Sequence, residues 1–154
     1  MKEKPCGSFE YHCPEGSGEP VLTELGFYSA YSSLDAELKT IFDSGGIAMD
    51  SQVVCERGYI CSKGVITQCP PGTFGWQFGA FNKTLHCFPC KAGYFCPGDP
   101  PSTNATEHKC GGAEFYCPAG SNVPMYVSPG YYSVGGNDEK TRTAEIICDP
   151  GHYW

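Results

Sequence analysis

Long apolar runs are missing from this sequence. Leu, Ile, Val and Phe together fall below the share that is typical of a folded globular domain. No window approaches 18 consecutive apolar residues, so the sequence predicts no membrane span. The opening stretch, MKEKPCGSFEYHC, lacks the apolar segment of a signal peptide. A large apolar core and a membrane helix are therefore both excluded as the basis of the fold.

Positive charge is also scarce. The chain has 10 Lys and Arg against 17 Asp and Glu, which gives a formal net charge of -7. This balance argues against a nucleic-acid partner, because phosphate backbones are bound by clustered Lys and Arg. Phosphate-binding loops, nucleophile elbows and metalloprotease helices are absent from the sequence. We therefore expect a protein that is not an enzyme.

Cysteine, glycine and proline are abundant instead, with 11, 20 and 13 copies in 154 residues. Such density is typical of an extracellular disulfide framework, in which each bridge contributes about 2–4 kcal/mol. Two sequons, Asn82-Lys83-Thr84 and Asn104-Ala105-Thr106, predict N-glycosylation of Asn82 and Asn104. We expect an internal segment of a longer protein that is secreted or displayed at the cell surface.

An internal repeat organises the chain. Residues 5–29 align without a gap to residues 109–133, so Cys6 corresponds to Cys110 and Cys13 to Cys117 at an offset of 104. The two copies rejoin at Cys55 and Cys148, at an offset of 93. The sequence therefore predicts about one and a half copies of a 104-residue repeat, as in a tandem array.

Secondary structure is expected to be short. Residues 33–43 predict a short helix, because Leu34, Leu38 and Ile41 recur at helical spacing and Gly45 follows. Its apolar stripe packs on its own module or, alternatively, docks a neighbouring chain. Short strands are predicted at Val21-Leu22-Thr23, Ser51–Val54, Met125-Tyr126-Val127 and Ala144–Ile147. A glycine followed by an aromatic residue recurs at Gly26, Gly58, Gly93 and Gly130, which predicts turns with positive φ beside bridges.

Six cysteines between Cys69 and Cys117 follow the spacing C-x17-C-x2-C-x5-C-x13-C-x6-C, and the first continues as C-PPGTFG. This stretch resembles the ephrin-receptor-like cysteine-rich repeat, a relative of the tumour-necrosis-factor-receptor module. The gaps x5 and x13 are longer than the family pattern. The pairing that the resemblance implies is Cys69–Cys87, Cys90–Cys110 and Cys96–Cys117.

The other cysteines are assigned by the repeat. Cys6 and Cys13 would bond to a preceding module, Cys55 and Cys61 would pair locally, and Cys148 would await a cysteine beyond the last residue. A rival pairing that also respects the repeat joins Cys13 to Cys55 and Cys117 to Cys148. Sequence alone leaves these alternatives open.

The whole chain is accordingly divided into three parts. Residues 1–61 form a partial cysteine-rich module with the inserted helix, residues 62–117 the ephrin-receptor-like module, and residues 110–154 the start of the next copy. The expected fold class is a set of small disulfide-rich modules, mostly short β-hairpins and loops with one short helix, in an elongated tandem-repeat array.

Metal and thiol chemistry fit this sequence less well than a disulfide framework does. Cys87-Phe88-Pro89-Cys90 has the C-x2-C form of zinc and redox sites, but a second ligand pair is missing and Pro89 opposes a helix. His12 and His86 each stand beside a cysteine, which is poor geometry for activating a nucleophile. We expect no metal or other cofactor. Weak Ca²⁺ binding is an alternative to a solvated surface for the scattered carboxylates Glu15, Glu19, Glu24, Asp35, Glu37, Asp43 and Asp50.

Three functions are compatible with these features. Long arrays of these motifs resemble large surface glycoproteins of algae and protists, which implies a structural segment that self-associates into a fibre, coat or flagellar-hair-type filament. Its partners would be further copies of itself and other surface glycoproteins. The alternatives are the ligand-binding ectodomain of a receptor and a carbohydrate-binding adhesin whose exposed tyrosines stack on sugars.

Overall fold

Short antiparallel β-hairpins build the protein. The computed structural model describes residue 4, residues 6–31 and residues 49–153. These residues contain fourteen strands: β1 (Tyr11–His12), β2 (Val21–Leu22), β3 (Phe27–Ala30), β4 (Ser51–Val54), β5 (Tyr59–Ser62), β6 (Val65–Gln68), β7 (Thr73–Phe74), β8 (Phe88–Pro89), β9 (Tyr94–Phe95), β10 (His108–Lys109), β11 (Phe115–Tyr116), β12 (Met125–Tyr126), β13 (Tyr131–Val134) and β14 (Ala144–Ile147). Consecutive strands pair two by two into two-stranded sheets.

Helical structure is confined to single turns in the described part of the chain. The helix α1 spans Lys83–His86, and a 3-10 turn spans Glu139–Thr141. The helix predicted at residues 33–43 lies outside the described residues. The four predicted strands are confirmed, although the two that were expected to end at Thr23 and Val127 end one residue earlier.

The chain divides into two compact units. The first contains Met1–Thr67 and Gln77–Lys83, and the second contains Gln68–Trp76 and Thr84–Trp154. Each unit contains its own hairpins and its own disulfides.

Strand pairing has the same register in the two units. The corresponding pairs are Tyr11↔Leu22 and Phe115↔Tyr126 in one hairpin, and Tyr28↔Val53 and Tyr132↔Ile146 in the other. Their offsets are the 104 and 93 residues of the sequence alignment. Hydrogen bonds between side chain and backbone also correspond, since Ser29 Oγ donates to Phe9 O and Ser133 Oγ donates to Ala113 O. The two segments therefore share one local structure.

Ten of the eleven cysteines form five disulfides, and each bridge joins neighbours along the sequence. The pairs are Cys6–Cys13, Cys55–Cys61, Cys69–Cys87, Cys90–Cys96 and Cys110–Cys117. Their Cα atoms lie 5.6–6.1 Å apart, within the range that a disulfide can span. The pairing Cys69–Cys87 agrees with the receptor-type resemblance, and Cys55–Cys61 agrees with the local assignment from the repeat.

The crossed pairs implied by the resemblance, Cys90–Cys110 and Cys96–Cys117, are wrong in this structure. Cys90 and Cys96 flank a β-turn that is closed by a hydrogen bond from Tyr94 N to Lys91 O at 3.0 Å, so the chain reverses and brings them together. The turn from Gly112 to Phe115 has the same effect on Cys110 and Cys117.

The bonding of Cys6 and Cys13 to another module is also wrong here, because the turn from Ser8 to Tyr11 brings them together. The rival pairs Cys13–Cys55 and Cys117–Cys148 do not form either. Cys148 is half-buried and carries a free thiol. A short gap between cysteines thus favours closure over one turn.

The buried interior consists mainly of sulfur. The most deeply buried side chains in the described residues are six cysteines and Ser102, namely Cys55, Cys61, Cys69, Cys90, Cys96, Cys117 and Ser102. Large apolar side chains remain exposed at many positions, for example Leu22, Leu25 and Ile147. The bridges therefore occupy the place that an apolar core has in larger domains.

One short bridge, a glycine and a docked segment make a unit that we term a cystine cluster. In the first cluster Gly26 lies against the Cys55–Cys61 bridge: Gly26 N donates to Cys61 O at 3.3 Å, and Cys55 N donates to Gly26 O at 2.8 Å. The segment Gly79–Ala80 docks on the same bridge, with Gly79 N donating to Cys55 O and Cys61 N donating to Ala80 O. Four backbone hydrogen bonds thus surround one disulfide.

The second cluster repeats these four bonds around Cys90–Cys96. Gly72 N donates to Cys96 O at 2.8 Å and Cys90 N to Gly72 O at 3.0 Å. The docked segment is Gly120–Ser121, with Gly120 N donating to Cys90 O at 2.9 Å and Cys96 N donating to Ser121 O at 3.0 Å. The two clusters use different parts of the sequence and form the same four backbone hydrogen bonds.

A third cluster forms around Cys110–Cys117. Gly93 N donates to Cys117 O and Cys110 N donates to Gly93 O, while Cys117 N donates to Arg142 O in the docked segment. The central glycines Gly26, Gly72 and Gly93 are all buried and have φ of 82°, 84° and 86°. In each, a Cβ atom would overlap with a carbonyl oxygen of the docked segment. Only glycine fits this position.

We predict that Gly26→Ala destabilises the first unit far more than Gly16→Ala. Both glycines have positive φ, 82° and 80°, but nothing lies within 4 Å of a Cβ atom at Gly16. Gly16→Ala should cost about 1–2 kcal/mol from backbone strain alone. Gly26→Ala adds overlap with Gly79 and should cost about 3 kcal/mol or more. Denaturant unfolding without reductant measures both values, and equal losses would contradict the cluster geometry.

Candidate functional site

The candidate site is an incomplete cystine cluster at Gly130 and Cys148. Cys148 N donates to Gly130 O at 2.8 Å, which corresponds to the bond between Cys55 and Gly26 in the first cluster. Gly130 has φ of 82°, like the other central glycines, but it is exposed and nothing lies within 4 Å of a Cβ atom there. The glycine and the first cysteine are therefore in place, and no docked segment covers them among the described residues.

A shallow cavity of about 210 Å³ adjoins this pair, lined by Tyr132, Cys148, Asp149, His152 and Tyr153. The turn that follows Cys148 is closed by a hydrogen bond from His152 N to Asp149 O at 3.0 Å, as in the turns that follow Cys55 and Cys90. The cavity is small for a drug-sized ligand.

The two sequons lie at the surface. Asn82 and Asn104 are both exposed, and Asn82 immediately precedes α1. In the second sequon Asn104 Oδ1 accepts hydrogen bonds from Thr106 N at 3.1 Å and from Thr106 Oγ1 at 3.2 Å. Both asparagines are accessible to a large substituent, which the predicted glycosylation requires.

The C-x2-C motif does not act as a unit in this structure. Cys87 is bonded to Cys69, and Cys90 to Cys96, so the two sulfurs belong to different bridges. His12 is buried beside the bonded Cys13, and its Nδ1 has no hydrogen-bond partner in the described residues. His86 ends the four-residue helix.

Carboxylates and other metal-ligating side chains are dispersed. Glu15, Glu19 and Glu24 are exposed and Asp50 is half-buried, whereas Asp35, Glu37 and Asp43 lie outside the described residues. Within residues 6–31 and 49–153, no three His, Cys, Asp or Glu side chains are grouped so that they could hold a metal ion. In the same residues, no helix is long and apolar enough to cross a membrane.

Glu145 on β14 organises the hairpin that carries the incomplete cluster. Its carboxylate accepts from Ser128 N at 2.7 Å and from Ser128 Oγ at 2.9 Å, where the first unit uses Gln52 to accept from Glu24 N. Burial raises the pKa of the Tyr116 hydroxyl, and the negative charge of Glu145 and a hydrogen bond to it raise the pKa further. The two hydrogen bonds from Ser128 to the Glu145 carboxylate hold the turn before Gly130.

Asp138 caps the segment that docks on the third cluster. Its side chain accepts from Lys140 N at 2.9 Å and from Thr141 Oγ1 at 3.0 Å in a capping box, and Lys109 Nζ lies 3.2 Å away. These hydrogen bonds, that to Lys109 above all, lower the pKa of Asp138 below 3.8. Sequence analysis missed this cap, although Asp138-Glu139-Lys140-Thr141 has the spacing of one.

Several exposed apolar side chains lie on corresponding hairpins. Leu22 and Leu25 of the first unit are 62 % and 67 % exposed, and Tyr126 of the second is 74 % exposed. Leu22 and Leu25 also line an open groove of about 360 Å³ with Glu10 and Lys63.

Comparisons with known proteins return no relatives. No protein-family model matches the chain, no curated protein matches it, and no solved structure matches it.

We predict that Lys109→Met raises the pKa of Asp138 toward its ordinary value of 3.8, because it removes the strongest of the interactions that favour the carboxylate. Since the folded pKa lies below the unfolded one, this carboxylate stabilises the fold above 3.8, and its contribution is lost as pH falls through the lowered pKa. Carboxyl-detected NMR titration measures the shift. Lys63→Met, which removes the same charge beside Glu10, should leave Asp138 unchanged. An unmoved pKa in Lys109→Met would refute the assignment.

Proposed function

We propose that the chain is a structural segment of a secreted or cell-surface tandem-repeat glycoprotein that assembles into an extracellular fibre or filament. The observation that carries the proposal is the shared register of the two units, with offsets of 104 and 93 residues between equivalent strand pairs. A chain that builds the same local structure twice along its sequence is suited to an array in which each repeat contacts its neighbours.

The composition of the interior supports an oxidising compartment. Bridged cysteines are the most deeply buried side chains of the described residues, and large apolar residues remain exposed. Such a fold depends on its disulfides, which persist outside the cytosol. Extracellular placement is therefore the proposal that fits the five bridges.

The surface supports the same role. Asn82 and Asn104 are exposed and available for glycans, which would cover the sides of a rod and limit lateral contacts. Residues 69–117 resemble ephrin-receptor-like repeats, and modules of that family form elongated ectodomains, which supports an extended role for this chain. A structural role asks for no catalytic group, and the proposal places none in this chain.

The proposal is tested by peptide mass spectrometry of the natively secreted protein without reduction, with and without glycosidase. We expect bridged peptides for Cys55–Cys61, Cys69–Cys87, Cys90–Cys96 and Cys110–Cys117, and a glycan mass at Asn82 and Asn104. Each bridged peptide pair should separate only after reduction, since the two peptides are joined by a covalent S–S bond.

The opposite result would be free thiols at Cys87 and Cys90 with both sequons unmodified. That outcome would contradict the proposed extracellular scaffold. It would favour metal or redox chemistry at the C-x2-C motif instead. The same sample without glycosidase treatment is the internal control for sequon occupancy.

A further inference from the structure

We propose that the open groove beside Leu22 and Leu25 binds the exposed side chains of Phe78 and Arg57 from a second copy of this chain. We term this pair of side chains the aromatic knob. The inference rests on the proposed filament and specifies one contact between its chains. Groove and knob both belong to the first unit and are described there one after the other.

The groove offers apolar surface to a partner. Its volume is about 360 Å³, and Leu22 and Leu25 on its wall are 62 % and 67 % exposed. An aromatic side chain that enters it would remove apolar surface from water on both partners.

The groove is preformed by backbone hydrogen bonds. Thr23 N donates to Glu10 O at 2.8 Å, which joins two of the lining residues. Ser29 Oγ donates to Phe9 O at 2.9 Å, and Ser29 N donates to Gly64 O at 3.0 Å. These bonds hold the two chain segments that carry the charged rim, so binding requires little further ordering.

The charge of the groove favours a cationic partner. Lys63 Nζ lies 3.4 Å from Glu10 Oε1, so these two side chains neutralise each other. The third charged lining residue, Glu24, is exposed, and its carboxylate forms no ion pair with any described residue. A positive charge next to an apolar group would complement this surface.

The aromatic knob has this combination of groups. Phe78 is 59 % exposed, and the guanidinium carbon of Arg57 lies 4.9 Å from the centroid of its ring in a cation–π contact. Arg57 is exposed and forms no ion pair within the part of the chain that the structure describes. Gly79 N donates to Cys55 O at 2.9 Å, which fixes the backbone beside the knob to the first cystine cluster.

The exposure of the groove wall is a property of the hairpin itself. Tyr126 is the equivalent of Leu22 at an offset of 104 and is 74 % exposed. Residues 69–109 precede Tyr126 and also follow Leu22, so this position is exposed with the rest of the repeat on either side of it. Ser128 stands where the first unit has Glu24, so the unpaired carboxylate is specific to the first unit.

In the bound state the Phe78 ring would lie against Leu22 and Leu25, and Arg57 would pair with Glu24. Aromatic residues and arginine are the side chains that most often contribute large binding energies at protein interfaces. The contact is heterologous, since groove and knob are different surfaces. Such a contact extends into a filament when the rotation between copies does not close a ring.

The first test is concentration-dependent association of the secreted chain in a Cys148→Ser background, which prevents disulfides between copies through the free thiol. Sedimentation velocity up to about 1 mM should show reversible growth beyond the monomer, since one small contact is weak. In a mixture of two differently isotope-labelled samples, intermolecular NOEs should join the methyl groups of Leu22 and Leu25 to the ring of Phe78.

Charge reversal tests the predicted ion pair. Glu24→Arg and Arg57→Glu should each weaken self-association about tenfold or more, because each places like charges opposite each other. The two variants mixed in equal amounts should associate again, and so should the chain that carries both substitutions, since opposite charges then meet. The controls Glu19→Arg and Lys91→Glu make the same changes in net charge at other exposed positions and should associate like the parent.

Removal of the ring tests the apolar part of the contact. Phe78→Ala should weaken association about tenfold or more, since the side chain that fills the groove is lost. The matched control is Trp76→Ala, which removes another exposed aromatic side chain, 52 % exposed, from the same stretch of sequence and should associate like the parent.

A chain that stays monomeric at 1 mM would overturn the proposed contact. Equal association of Glu24→Arg and Glu19→Arg, or no recovery in the mixed variants, would do the same. With bridges and glycans intact, these results leave the proposed extracellular scaffold standing. Free thiols at Cys87 and Cys90 with both sequons unmodified would contradict the scaffold itself.

Discussion

The structure depends on a buried glycine held against a disulfide by backbone hydrogen bonds. A bridge that closes one β-turn leaves the amide and carbonyl of both cysteines pointing outward, and these groups must be satisfied. A glycine with positive φ forms hydrogen bonds with the amide of the first cysteine and the carbonyl of the second. A docked backbone segment forms hydrogen bonds with the remaining groups. Clusters of this kind surround three of the bridges in the described residues, where the most deeply buried side chains are mainly cysteines, so backbone and sulfur take the place of an apolar core.

Much of the local structure could be predicted from the sequence. The strands at Ser51–Val54 and Ala144–Ile147 follow from β-branched residues before a cysteine, and the positive φ of Gly93 from its place in a turn. The crossed disulfides could not be excluded from the sequence, because cysteine spacing alone does not determine which cysteines pair. The hydrogen bonds that close the intervening turns decide the pairing in favour of nearest neighbours.

The docked segments could not be predicted from the sequence for a different reason. Gly79–Ala80, Gly120–Ser121 and Arg142 share no side-chain pattern, since the cluster recognises their backbone. The incomplete cluster at Gly130 could therefore not be predicted from the sequence, because it is recognised only by comparison with the complete clusters. The offsets of the repeat were readable because they are marked by cysteines, glycines and prolines, whose conformational demands are strict.

Nearest-neighbour bridging has a mechanical consequence. The bonded cysteines are separated by 6, 7 or 18 positions, so each covalent loop removes only a short stretch from the length of chain that a pulling force can extend. The remaining backbone is restrained by hydrogen bonds that break and re-form. Under tension the molecule would lengthen hairpin by hairpin while its cystine loops stay closed, and would shorten again when released. Bridges spanning distant positions would have made it nearly inextensible.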